Sequence, residues 1–206
     1  MTEGCCIRVI GLTGGIATGK STVARLLEEQ GAVVIDADAL SREAVRPGSE
    51  PLERIVALFG PQILLPDGCL DRKGLGRLVF ADLAKRRRLE EITHPAIRNL
   101  ADERISRLAA AGHRVVFHMA PLLIEANAVD RVDEVWVVTV RPEVQLERLM
   151  RRDAIGRAEA ERIIASQMPL AEKERHGRIV IDNSGTPEDT RRLVAAIWAR
   201  EIGNSR

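Results

Sequence analysis

The chain has 206 residues, 45% of them hydrophobic, and its 31 basic and 30 acidic side chains leave a formal charge of +1. That length and apolar share suit one domain with a sizeable core and exclude an intrinsically disordered chain. The even charge balance, with aromatics at 2% and no tyrosine, argues against both nucleic-acid and membrane partners: basic field and stacking platforms are missing.

In chain order, Met1 to Gly15 lacks a basic n-region and reaches glycines almost at once, so it does not read as a signal peptide. No apolar run approaches the length of a membrane span. Cys5 and Cys6 are adjacent and Cys69 is distant, which is neither a zinc-knuckle spacing nor the even count of a disulfide framework. A cytoplasmic, reducing location is expected.

A first strand is predicted over Cys6–Leu12. Directly after it comes Gly14-Gly15-Ile16-Ala17-Thr18-Gly19-Lys20-Ser21, which fits G-x-x-x-x-G-K-[ST]. Each residue type has a reason. Glycines let successive backbone N–H groups turn inward around phosphates without Cβ clashes. The helix opening near Lys20, predicted over Lys20–Gln30, adds its positive dipole end. Lys20 is placed to reach the β- and γ-phosphates, and the Ser21 hydroxyl to ligate Mg²⁺. The motif specifies a nucleoside triphosphate but no reaction.

A second strand, Ala32–Ile35, leads into Asp36-Ala37-Asp38. If the chain stays extended, the two carboxylates project to one side at the carboxyl edge of the sheet, where open α/β sheets bind ligands. A carboxylate there can take a proton from an attacking hydroxyl or help hold magnesium; the alternative is a helix N-cap or turn. The stretch from residue 41 to 112 is too long for a simple crossover. Pro47-Gly48, Gly60-Pro61 and Pro66-Asp67-Gly68 punctuate it, with helices predicted over Leu52–Phe59, Lys73–Phe80 and Ala96–Ala111, and His94-Pro95 in a helix-entry turn. It reads as a helical insertion.

Strands follow at Val115–Met119 and Glu134–Val140. The segment Arg141–Met168, with helices at Glu143–Arg152 and Ala158–Gln167, is rich in arginine and reads as a lid. Arg148 and Arg152 are four apart and share a helix face, suited to closing over a triphosphate and excluding water. Arg141, Arg151, Arg157 and Arg162 read as solvated surface. A last strand, Arg178–Ile181, precedes a helix over Glu188–Ile202 with Thr186 as N-cap and Pro187 at the first position. No pair of the histidines 94, 113, 118 and 176 has helical metal spacing.

Short β-branched runs alternating with helical stretches, several runs nearly all apolar, mean an α/β fold with a parallel sheet. The expected fold is of P-loop NTPase type: three layers, α/β/α, around five parallel strands. One domain is expected, with a nucleotide-binding core over about 1–40, 113–140 and 169–206, the insertion over 41–112 and the lid over 141–168.

Leu12 to Ala24, followed by Ile35-Asp36-Ala37-Asp38, resembles the opening of dephospho-CoA kinases. Further matches run in the family's order: Pro47-Gly48, Phe59-Gly60, Asp67-Gly68, Leu70-Asp71-Arg72, His94-Pro95, Pro121 to Glu125, Gln145 to Arg152, and Asp182-Asn183-Ser184-Gly185. The resemblance implies ATP, Mg²⁺ and transfer of the γ-phosphoryl group to the ribose 3′-hydroxyl of dephospho-CoA, in a monomer or small homo-oligomer. It implies Asp38 as general base, Thr13 beside the transferred phosphate, Arg148 neutralising transition-state charge and Arg152 supporting it. Gly14 to Thr22 would hold ATP, Asn183 and Gly185 would border the adenine, and Ser21 and Asp38 would lead the metal shell. It also implies that the insertion receives the acceptor. Two departures stand out. His118 replaces an acidic residue common in the family, and Gly177-Arg178 replaces an Ala-Asp pair, a change expected to be structural.

Two rival readings share the loop. A nucleoside or nucleotide kinase would differ in its acceptor. A GTP-dependent switch is disfavoured because no Asn/Thr-Lys-x-Asp guanine-reading motif occurs, although Asp182–Gly185 and Asp153–Gly156 formally match Asp-x-x-Gly.

Overall fold

The computed structural model describes residues 7–80 and 82–203. Cys5 and Cys6, the latter the predicted start of the first strand, lie outside the described residues. Strands β1 (Arg8–Gly14), β2 (Val33–Asp36), β3 (Val115–Met119), β4 (Glu134–Thr139) and β5 (Ile179–Asp182) form one five-stranded parallel sheet in the order β2-β3-β1-β4-β5. All five predicted strands are present, with ends displaced by a residue or two.

Central strands buried on both faces explain the near-continuous apolar runs. Ile10 and Leu12 of β1 and Trp136 and Val138 of β4 share one core with Val23, Leu26 and Leu27 of α1 (Lys20–Glu29) and Val194 and Ile197 of α9 (Pro187–Glu201). The alternate residues Val135 and Val137 pack on the other face with Leu123, Val129 and Val132. Trp136 is fully buried, edge-on to Phe117 at 5.0 Å between ring centroids, and Phe117 stacks on Trp198 at 6.4 Å. Three of the chain's five aromatics thus meet at this one point.

The amino-terminal edge of the sheet is tied by charge. Glu134 accepts from Arg8 Nη2 at 2.7 Å and Trp136 Nε1 at 2.6 Å, and pairs with Arg178 Nε at 2.6 Å. Arg178 also binds Glu201 at the end of α9. Burial acts to raise the Glu134 carboxyl, but donation from Arg8, Trp136 and Arg178 outweighs it and holds the group below its ordinary range. The Gly177-Arg178 departure thus has a structural role.

The chain divides into two compact units: the described residues through Val34 together with those from Leu108 onward, and Ile35–Arg107. The first holds β1, β3, β4 and β5 with α1, α6 (Pro142–Asp153), α7 (Arg157–Ala165), α8 (Leu170–Glu174) and α9. The second holds α2 (Ala37–Ala44), α3 (Glu50–Phe59), α4 (Arg72–Phe80) and most of α5 (Leu83–Ala110). Its core joins Val45, Leu52, Ile55, Ile63, Leu75 and Ile92.

Two expectations are corrected. The extended Asp36–Asp38 segment is not extended: β2 stops at Asp36, whose side chain caps α2 by accepting from the Asp38 amide at 2.8 Å. Helix α5 begins at Leu83 rather than Ala96, and His94-Pro95 lies inside it, not in an entry turn. A proline there deletes one backbone bond, but Leu89, Ile92, Ala96, Ile97 and Leu100 recur at helical spacing against the core of this unit. Packing outweighs the lost bond. Helix α8, a single short turn and a half, is an element that sequence reading did not assign. No described helix is long and apolar enough to cross a membrane.

Candidate active site

The loop opens where β1 ends, at the central strand of the sheet. Gly14 lies so close to β4 that a Cβ on it would stand 2.4 Å from the Val138 carbonyl oxygen. Gly19 has φ +84, a left-handed conformation open to glycine, and a Cβ there would meet Asn183 Nδ2 at 2.1 Å. Between them Ala17 also takes a positive φ of 58°, an uncommon state for a residue with a side chain.

Helix α1 starts at Lys20 with Gly19 as N-cap, no capping side chain and no acidic residue in its first turn. Helices α2, α3 and α9 are capped by Asp36, Ser49 and Thr186. Helix α1, like α6, α7 and α8, has no capping side chain; its Thr22 and Val23 amides donate to the Gly19 carbonyl, and its positive dipole end faces the loop, a disposition that suits an anion. Lys20 folds back along the loop, its Nζ 3.5 Å from the Gly14 carbonyl. Ser21 and Thr22 are exposed on the first turn.

Side chains from three other elements brace the loop. Gln145 of α6, buried, donates from Nε2 to the Ile16 carbonyl at 2.9 Å. Gln167, just beyond α7, accepts from the Ile16 amide at 2.8 Å. Both polar groups of one loop residue are thus held from the two ends of the arginine-rich segment. Thr18 is fully buried, its hydroxyl donating to Gly15 O at 3.0 Å, and its own carbonyl accepts from Asn183 Nδ2 at 2.8 Å. Asn183 Oδ1 accepts from Thr190 Oγ1 at 2.6 Å.

Asn183, expected at the adenine, spends both ends of its amide on the protein. The turn around it is built by Asp182, which accepts from the Ser184 amide at 2.8 Å and hydroxyl at 2.5 Å, with Gly185 exposed. Thr13 is fully buried and donates to the Pro121 carbonyl at 3.3 Å. Arg148 is half-buried, with Nη1 3.8 Å from where a Cβ on Gly19 would stand, so its guanidinium lies beside the loop. Arg152 is exposed and held by Asp153 at 2.7 and 2.9 Å. That pairing and a little burial act in opposite senses, and the pairing keeps Arg152 raised and Asp153 depressed.

In the second unit Asp38 is exposed in the first turn of α2. Arg72 donates to the Ser41 carbonyl at 2.8 Å. Burial first, then neighbouring Arg42, lower the Arg72 guanidinium, and Asp38 partly offsets them. Sequence reasoning passed over Gln145, Gln167, Thr190 and Lys173 as site residues. The one available signal was Gln145, a polar residue four before the buried Leu149 on α6.

Among the described residues no three or more His, Cys, Asp or Glu converge as a metal cage. The side chains expected to take part, Ser21 in the first unit and Asp38 in the second, carry hard oxygens. They suit Mg²⁺, which keeps water ligands and relies on substrate phosphates more than on a protein cage.

A parallel sheet whose central strand delivers a G-x-x-x-x-G-K-S loop into a helix defines a nucleotide-binding fold of P-loop type. Solved structures agree on the fold. A Thermus thermophilus protein superposes with a TM-score of 0.81 at 36% identity, covering 96% of this chain and 99% of its own. A dephospho-CoA kinase from Campylobacter jejuni gives 0.66 at 26%, covering 94% and 96%. The family profile for dephospho-CoA kinase matches residues 8–189. A dephospho-CoA kinase of Geobacter sulfurreducens is 59% identical over 95% of this chain and 100% of its own length. The chain belongs to the dephospho-CoA kinase family.

Proposed function

We infer that the chain transfers the γ-phosphoryl group of ATP to the ribose 3′-hydroxyl of dephospho-CoA, yielding CoA and ADP. One observation carries this reading: a match over almost the whole chain to relatives named for that activity, across a loop built to bind an anion.

Asp38 accepts the proton of the 3′-hydroxyl as its oxygen attacks phosphorus in line and the bond to the β-phosphate bridging oxygen breaks. Lys20, the α1 amides and Arg148 stabilise the charge that spreads over the transferring group and the leaving oxygen. Such positioning and charge stabilisation supply most of what phosphoryl transfer needs. Thr13 stands at the foot of the loop, and Gln145, Gln167 and Asn183 hold the backbone that aims the amides. Arg152 supports Arg148 once its pairing with Asp153 gives way. Ser21 and Asp38 would hold Mg²⁺, which, when bound, neutralises charge on the β- and γ-phosphates. The helical insertion receives the acceptor, residues 141–168 serve as lid, and Asn183 and Gly185 border the adenine through their turn. The enzyme works in the cytoplasm as a monomer or small homo-oligomer.

The test is CoA formation from ATP and dephospho-CoA, run beside nucleosides and nucleoside monophosphates as acceptors. Wild type should make CoA, and Lys20→Ala should abolish turnover. Phosphorylation of nucleotides but not of dephospho-CoA would overturn the reading.

A further inference from the structure

Lys173, on α8, is fully buried. An ammonium in that position is costly unless its three N–H groups find partners. It finds the Pro121 carbonyl at 2.9 Å and the Glu125 carboxylate, with Oε1 at 2.7 Å. The second contact is an ion pair but not a well-directed hydrogen bond, since neither buried oxygen of Glu125 has a hydrogen-bond donor. A pair so placed is poor evidence of stabilisation, because apolar side chains of similar volume commonly replace buried ion pairs at no loss of stability.

The Pro121 carbonyl is the informative partner. It also accepts from Thr13 Oγ1, at 3.3 Å. One carbonyl thus carries a short charge-assisted bond from Lys173 and a long neutral bond from Thr13. The charge-assisted bond is the stronger and fixes where the oxygen points; the Thr13 hydroxyl follows it. Thr13 precedes Gly14 at the end of β1, and Leu170, three residues before Lys173 on the same short helix, lies against the loop at Gly15. The helix that carries the ammonium therefore touches the loop and the 121–125 segment together.

We propose that Lys173 is a positioning residue for phosphoryl transfer, setting the Pro121 carbonyl and through it the Thr13 hydroxyl at the foot of the phosphate loop. The proposal rests on the kinase reading above. It goes beyond that reading in giving a role to a side chain that touches neither nucleotide nor acceptor.

The experiment compares Lys173→Met, the double variant Lys173→Met/Glu125→Met, Thr13→Val, and the triple combination, reading melting temperature, kcat and the KM for ATP. Lys173→Met alone should melt low, because it leaves a buried carboxylate uncompensated. The double variant removes that charge and should regain the wild-type melting temperature, yet its kcat should stay about tenfold down, the equivalent of one hydrogen bond of 1.4 kcal/mol. KM for ATP should be unchanged. Thr13→Val should lower kcat by a similar factor, and adding it to the double variant should cost little more, since the two act through one carbonyl.

Recovery of wild-type kcat together with stability in the double variant would reduce Lys173 to a structural role and overturn the proposal. So would full multiplicativity with Thr13→Val. A wild type that forms no CoA strikes down the kinase reading and this proposal with it, an outcome plain before any variant is compared.

Discussion

Replacing Asn183 by leucine tests how much of the loop's shape is held from outside it. The buried side chain joins the Thr18 carbonyl to the Thr190 hydroxyl at 2.8 and 2.6 Å. Leucine keeps the branched shape at a somewhat larger volume and removes both bonds. Thr190 retains a partner, the Thr186 carbonyl at 3.1 Å, so its loss is only the net worth of a hydrogen bond, about 0.5–1.5 kcal/mol. The Thr18 carbonyl is stranded beside a fully buried side chain, which costs about 1–3 kcal/mol. The sum is roughly 1.5–4.5 kcal/mol, and for a chain of this length that lowers the melting temperature by roughly 3–18 °C. Thr18 adjoins Gly19, the N-cap of the helix proposed to meet the phosphates. A released carbonyl should therefore also raise the KM for ATP, by up to about tenfold if 1.4 kcal/mol of preorganisation is lost. Thermal melts with and without ATP, beside steady-state kinetics, measure both quantities. A variant that melts like wild type with an unchanged KM for ATP would show that the amide bridge does not shape the loop.

The two glutamines on Ile16 make opposite demands. Gln167→Glu keeps an acceptor for the Ile16 amide, whereas Gln145→Glu sets a carboxylate against the Ile16 carbonyl. Both add one negative charge near the loop, yet the second should raise the KM for ATP more, read from initial rates. Asp38→Ala should lower kcat by about 10²–10⁴-fold, the usual worth of a general base, while ATP affinity by calorimetry stays as in wild type. Arg148→Ala should cost about 10²–10³ in kcat, as loss of one transition-state donor does, with little change in melting temperature. For Glu134, a carboxyl depressed in the folded state adds stability above its unfolded value and loses it as pH falls through the folded one. Glu134→Gln should therefore melt below wild type at pH 7, and the gap should close as pH drops below about 4.3.

Much of the site was legible because its determinants are local. The run Gly14 to Ser21 specifies loop and helix by residue type alone. Capping chemistry placed the start of α9, where Thr186 is the N-cap as expected and Asp189 completes a capping box with it. The strands could be read from apolar runs because they are covered on both faces. Where the expected arrangement gave way, either a local cap or packing from a distance decided. Asp36 and Asp38 look alike as letters, but Asp36 turns back to cap α2 and leaves Asp38 exposed. Pro95 carries a strong local signal to break a helix, and an apolar stripe against a core assembled from residues 44–92 overrides it.

By itself the sequence determined that this is an α/β chain with a glycine-rich G-x-x-x-x-G-K-S loop between its first strand and first helix. Those choices rest on backbone freedom, dipole direction and side-chain chemistry, all set within a few residues. Only the tertiary structure decided what holds the loop in place. Gln145, Gln167, Asn183 and Lys173 come from points 129 to 165 residues away from the loop groups they touch, or act through a shared carbonyl. A polar side chain takes such a role only when folding buries it against an unsatisfied backbone group. No spacing along the chain records that event.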